Sequence, residues 1–157
     1  MRTIRAGLCL AASLALASAA FAQTTHHVVE NLQDAKWGPA PPMLPPGSSV
    51  EVLAGDPSQS VPVTLRAKVP EGYRIPPHSH PTDENVVILS GTVGFGMGDK
   101  MDMSALKLLR VGGYALMPAG MNHYAYAKTA ASFILYAQGP IEFKYVNPAD
   151  DPRNQKK

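Results

Sequence analysis

The stretch GYRIPPHSHPTDENVVILSG, residues 72–91, places His78, His80 and Glu84 close together. In an extended strand alternate side chains share a face, so the two histidines project together. Glu84 has the same parity, and after a turn at Pro81 and Thr82 it can rejoin them from the next strand. A fourth donor, His123, follows the turn Pro118-Ala119-Gly120 in GGYALMPAGMNHYAYA. The chain has five histidines, and three of them fall in these two blocks. Three imidazoles and a carboxylate suit a first-row transition metal, so these four residues are the candidate ligands of one divalent ion. Glu84 either binds that ion or, detached, serves as a base, which makes it the candidate catalytic residue. Asp83 lies next to it and so belongs to the opposite face of a strand.

Such a cluster needs short strands to hold it, and the surrounding pattern supplies them. Val61, Val63, Leu65, Ala67 and Val69 alternate with Pro62, Thr64, Arg66 and Lys68, the signature of a strand with one buried face. Val86 and Ile88 continue the parity of Glu84, and Met121, Ala125 and Ala127 share that of His123. These five are the expected walls of a cavity beside the metal. Tyr73, Arg74, Tyr124 and Tyr126 are the nearby polar groups able to orient a guest. Ring packing for the tyrosines and a surface position for Arg74 are the plainer readings. Gly91, Gly94, Gly96 and Gly98 lack the following lysine and helix of a nucleotide loop, and read as bends between strands. Residues 101–109 read as a helical turn or irregular excursion, with further strands over 114–117, 122–127, 132–137 and 141–146. Many short strands with Gly and Pro turns predict an all-β sandwich or barrel.

These blocks resemble the two motifs of the cupin superfamily. Gly72, His78, His80, Glu84 and Gly91 stand at the spacing of the first motif. Gly112, Pro118, Gly120 and His123 stand at that of the second. Ala127 departs from the pattern, because the second motif usually carries Asn there. The departure removes a polar group from the expected pocket face and leaves the ligands untouched. The resemblance covers roughly residues 48 to 146, with paired motifs. It implies a jelly-roll β-barrel, a double-stranded β-helix, in a single-cupin chain without internal repeat. It also implies a homodimer, since single-domain cupins commonly pair to cover sheet edges and an apolar outer face.

Ahead of that domain, MRTIRAGLCLAASLALASAAFA has a positive start, a short apolar run and a small-x-small end at Ala20-Phe21-Ala22. This is the pattern of a general secretory signal peptide, residues 1–22, cleaved before Gln23, and it predicts a periplasmic or secreted protein. Cys9, the only cysteine, lies inside it, so the mature chain has neither disulfide nor thiolate chemistry. Cleavage takes the chain from 157 residues to 135, enough for one domain. It removes two arginines and no acid from 14 basic and 12 acidic residues, leaving 12 of each. With no basic block, nucleic acid is excluded as a partner, and so is a membrane surface once the signal is gone. Residues 23–47 form a polar tail, with His26 and His27, and a proline-rich arm, GPAPPMLPP, preceded by Trp37. The arm either clasps a neighbouring subunit or packs along its own barrel. Residues 147–157 form a polar C-terminal tail.

Four ligands on a six-coordinate ion leave two positions for water, dioxygen or a bidentate substrate. The expected guest is a small, partly apolar organic molecule with coordinating oxygens. Two classes therefore compete: a small-molecule metalloenzyme of the dioxygenase, decarboxylase, isomerase or lyase kind, and a non-catalytic metal- or ligand-binding sensory module. The stretch AGDPSQSVPVTLRAKVPEGYRIPPHSHP is similar to both ChrR-type sensor cupins and diketone-cleaving dioxygenases, which divide between those classes. A secreted location tilts the reading towards an enzyme, since it bars contact with a cytoplasmic sigma factor. Folding after export favours zinc or copper, the tighter binders of nitrogen and oxygen donors, with manganese, iron or nickel as the alternatives.

Overall fold

The computed structural model describes residues 27–155. The expected signal peptide, residues 1–22 with Cys9, and His26 lie outside them. Eleven strands follow one another in the chain: β1 (Gly38–Pro39), β2 (Ser49–Ala54), β3 (Pro62–Val69), β4 (Arg74–Ser79), β5 (Glu84–Ser90) and β6 (Val93–Met97). Then come β7 (Lys107–Leu109), β8 (Tyr114–Met117), β9 (His123–Ala127), β10 (Ala131–Gln138) and β11 (Lys144–Tyr145). They form two antiparallel sheets, one in the order β1-β2-β3-β10-β5-β8 and the other β11-β4-β9-β6-β7. Successive strands repeatedly change sheets, as in a jelly roll, so the two motif blocks contribute to both layers. Among the described residues no helix is long and apolar enough to cross a membrane.

The alternation along β3 sets one wall of the core. Val63, Leu65, Ala67 and Val69 are all buried; Val86 and Ile88 of β5 are buried in the same sheet, and Ala125 and Ala127 of β9 are buried in the opposing one. Each valine, leucine or isoleucine among them contributes roughly 1.5–3 kcal/mol when withdrawn from water.

The other face of β3 departs from the sequence expectation. Arg66, at a polar-face position, is only 4% exposed. Glu51, its cross-strand neighbour on β2, pairs with its guanidinium, and the segment preceding β1 folds back over both: Glu30 also pairs with Arg66, and the Lys36 amide donates to Glu51 Oε1 at 2.7 Å. Period-two patterning cannot foresee a cover supplied by a distant segment. Burial works against ionisation of Glu51, but the Lys36 amide and Arg66 outweigh it and hold the carboxyl below its ordinary value of 4.5. A lowered folded-state pKa stabilises the protein above the unfolded value and ceases to do so as pH falls through the folded one. The urea unfolding midpoint should therefore drop as the pH falls through and below the ordinary Glu51 value of 4.5. Arg66→Met should shrink that drop; an unchanged pH profile in the variant would contradict the linkage.

The glycines of β6 also differ from expectation. Gly91 and Gly98 have positive φ and do make bends, but Gly94 and Gly96 lie within the strand. A Cβ on Gly96 would stand 2.2 Å from Tyr124 Cζ, so this glycine makes room for a buried ring. Residues 101–106 form a turn leading into β7, which takes up 107–109, and of the strand expected over 141–146 only β11 pairs, with β4.

Candidate metal centre

Register in the second sheet brings the first two imidazoles together. His78 on β4 stands opposite His123 on β9, with ring centroids 4.3 Å apart. His80 follows β4 directly, and its ring centroid lies 4.9 Å from His78 and 5.1 Å from His123. Glu84 opens β5 in the opposing sheet, after the turn at Pro81 and Thr82, and reaches across the interior. One of its oxygens lies 3.3 Å from His123 Nε2 and 3.6 Å from His80 Nε2. All four residues are buried, and one nitrogen from each histidine falls within 4.8 Å of the others.

The backbone fixes which nitrogens face inward. His78 Nδ1 meets the Pro76 carbonyl at 2.7 Å, His80 Nδ1 that of Glu142 at 2.7 Å, and His123 Nδ1 that of Met121 at 3.0 Å. A carbonyl only accepts, so each Nδ1 must donate, and each Nε2 of the neutral rings is left with a bare lone pair. His80 Nε2 and His123 Nε2 are buried without a hydrogen-bond partner. They face a carboxylate oxygen that also only accepts. Lone pairs turned towards one another demand a cation or protons between them, and ring nitrogens oriented through carbonyls are the usual support of a metal ligand. The donor set fits a divalent transition metal.

Charges in the cluster follow from the same geometry. Burial opposes ionisation of Glu84, yet the His123 and His80 rings hold its carboxyl well below the usual carboxylate range. Burial, with His123 and His80 alongside, pushes His78 down to about 3, so it is neutral at physiological pH. Burial likewise opposes protonation of His80, but Glu84 more than compensates and raises its pKa.

Beside the cluster opens a cavity of about 280 Å³, reached by His78, Glu84 and His123. Val86, Ala125 and Ala127 line it. Two expected wall residues do not. Ile88 is buried in the core and does not reach the cavity, although its parity is right. Met121 is 43% exposed, because it sits in the turn before β9, where strand parity does not apply. Arg74 lies outside the cavity, its guanidinium over the Tyr126 ring at 5.6 Å. Tyr124 is buried, its hydroxyl donating to the Asp102 carbonyl, and Asp83 turns away to accept from the Ala119 amide.

Other neighbours escaped the sequence reading. Phe143 stacks on His78 at 4.7 Å and meets His80 edge-on at 4.5 Å. Pro39, Pro41, Met43 and Leu44 of the proline-rich arm line the cavity, so the arm packs along its own barrel. Phe143 precedes a two-residue strand and the arm is irregular, so neither carries a periodicity linking it to the histidines.

Two facing antiparallel sheets around this histidine cluster make the chain a protein of the cupin fold. It is similar to the polyketide cyclase RemF from Streptomyces resistomycificus, with a TM-score of 0.66 and 17% identity over 82% of this chain and 91% of that one. A putative acetylacetone dioxygenase from Methylibium petroleiphilum matches with a TM-score of 0.60 and 17% identity, over 81% of this chain and 85% of that one. An RmlC-like cupin from Shewanella frigidimarina matches with a TM-score of 0.56 and 13% identity, over 72% and 91% respectively. Residues 28–157 match the family model described as a domain of unknown function, DUF4437, and the chain belongs to that family. No curated protein matches the sequence.

Proposed function

We propose that this protein is a metal-dependent enzyme of the periplasm or the medium, acting on a small organic molecule in a dioxygenase, decarboxylase, isomerase or lyase reaction. The observation that carries the reading is the convergence of three backbone-oriented imidazoles and Glu84 at one end of a cavity. His78, His80, His123 and Glu84 would hold a divalent ion, which would supply Lewis acidity towards a substrate oxygen. The chain's own residues do the rest. The carbonyls of Pro76, Glu142 and Met121 keep the rings aimed, and Phe143 restricts two of them. Glu84 offsets the charge of the ion, or accepts a proton if it swings free.

Elemental analysis of native protein, followed by oxygen uptake and product analysis against diketones, hydroxy acids and phenolics, tests the reading. Zinc or copper is the expected metal, since export unfolded leaves selection to affinity. Stoichiometric metal with no turnover of any compound would instead mark a non-catalytic binding module.

The same reading takes the chain as a homodimer. Val87, Tyr114, Leu116 and Tyr136 form one exposed apolar patch on the outer face of the first sheet, where cross-strand pairing places them side by side. Light scattering at tens of micromolar should return twice the monomer mass; a monomer there, unchanged by Tyr136→Arg, argues against pairing.

A further inference from the structure

The cavity is polar at one end only. Away from His78, Glu84 and His123, its polar side chains are Ser48, Tyr73 and Tyr126. The Tyr73 hydroxyl donates to the Pro45 carbonyl at 2.6 Å and lies 3.0 Å from Ser48 Oγ, so these two groups satisfy one another and the arm. Among the described residues no lysine, arginine or second carboxylate lines the space. Its body is made by side chains such as Val50, Leu65, Phe95 and Phe133, closed on one side by Met43 and Leu44. Hydrogen bonds seat that side on the barrel: Tyr145 donates to the Met43 carbonyl at 2.7 Å, and Tyr73 to that of Pro45.

We infer that the cavity takes an uncharged, mainly apolar molecule with its single oxygen-bearing end at the histidines, and that Met43 and Leu44 of the arm select it. A charged group at the far end would lose hydration with no opposite charge to replace it. An apolar body gains by leaving water for these walls. The inference rests on the metal-site reading for the placement of the polar end, but the choice between apolar and charged bodies follows from the walls alone.

Two probes of similar length with the same head decide it: 4-butylphenol, and 3-(4-hydroxyphenyl)propanoate with a carboxylate at the far end. Calorimetric titration of the zinc-loaded mature protein should show 4-butylphenol binding at least about tenfold tighter, tenfold being 1.4 kcal/mol. Leu44→Asp should weaken 4-butylphenol by about tenfold or more, with zinc content unchanged and cooperative unfolding retained, and Met43→Asp should act in the same direction. Equal binding of the two probes, failure of both to bind, or full affinity in both arm variants would overturn the inference. Zinc content, measured on the same samples, separates the two readings. Absent zinc with the probe preference intact removes the metal site and leaves the apolar chamber; stoichiometric zinc without the preference does the reverse.

Discussion

Replacing His123 by Ala should abolish stoichiometric metal binding, and His80→Ala should do the same. Each removes an Nε2 that is buried without a partner and faces Glu84. Losing a residue that merely orients a ligand costs about 10- to 100-fold in metal affinity, so losing a ligand should exceed about 100-fold. Elemental analysis after dialysis against a weak chelator reads this directly. A second readout follows from linkage: a metal bound only by the folded state, at about a thousand times its Kd, stabilises it by about 4 kcal/mol. Chelation should therefore lower the melting temperature of the parent and leave that of His123→Ala unchanged. Phe143→Ala, which frees the faces of His78 and His80 without removing a donor, should fall in the 10- to 100-fold range. Full metal content in either histidine variant, with the fold intact, would mean that the site is misassigned.

Gly91→Ala should be among the most destabilising single-methyl additions in the chain, and Gly72→Ala far milder. Both glycines belong to the first motif block and both have positive φ, +75° and +79°. The left-handed backbone costs an alanine about 1–2 kcal/mol at either place. Their surroundings differ. A Cβ on Gly91 would lie 2.2 Å from the Ala130 carbonyl oxygen and 2.8 Å from Ala131 Cα, where β10 passes. On Gly72 it would meet nothing within 4 Å. Backbone atoms cannot turn aside as a flexible side chain can, so crowding adds about 1–3 kcal/mol at Gly91 alone. Urea unfolding of the metal-free proteins should give about 2–5 kcal/mol lost for Gly91→Ala and about 1–2 for Gly72→Ala. Equal losses would show that β10 yields.

Much of the site was legible in the chain because it depends on local order. The two-residue spacing of His78 and His80 guarantees a shared face in any strand, and the parity of Val86 with Glu84 put both on one side of β5. Turn residues at Pro81 and Thr82, and at Pro118 to Gly120, announced where the strands break. The alternation of β3 announced its buried face, and together these gave an all-β class. What local order cannot contain is which distant segment arrives. Glu84 meets the histidines from the other sheet, and His78 faces His123, only because the register of β4 on β9 and the packing of the layers bring them within a few ångströms. The Glu142 carbonyl that fixes His80 is 62 residues away along the chain. Arg66 is buried by residues before the barrel, and Met43 and Leu44 close the cavity, because folding the N-terminal segment back removes apolar surface from water wherever it can fit. Ile88 and Met121 mark the same boundary. Parity gives the side a residue faces within a strand, while the separation of the sheets and the position of a turn decide whether that side opens on a cavity, on packed core or on solvent.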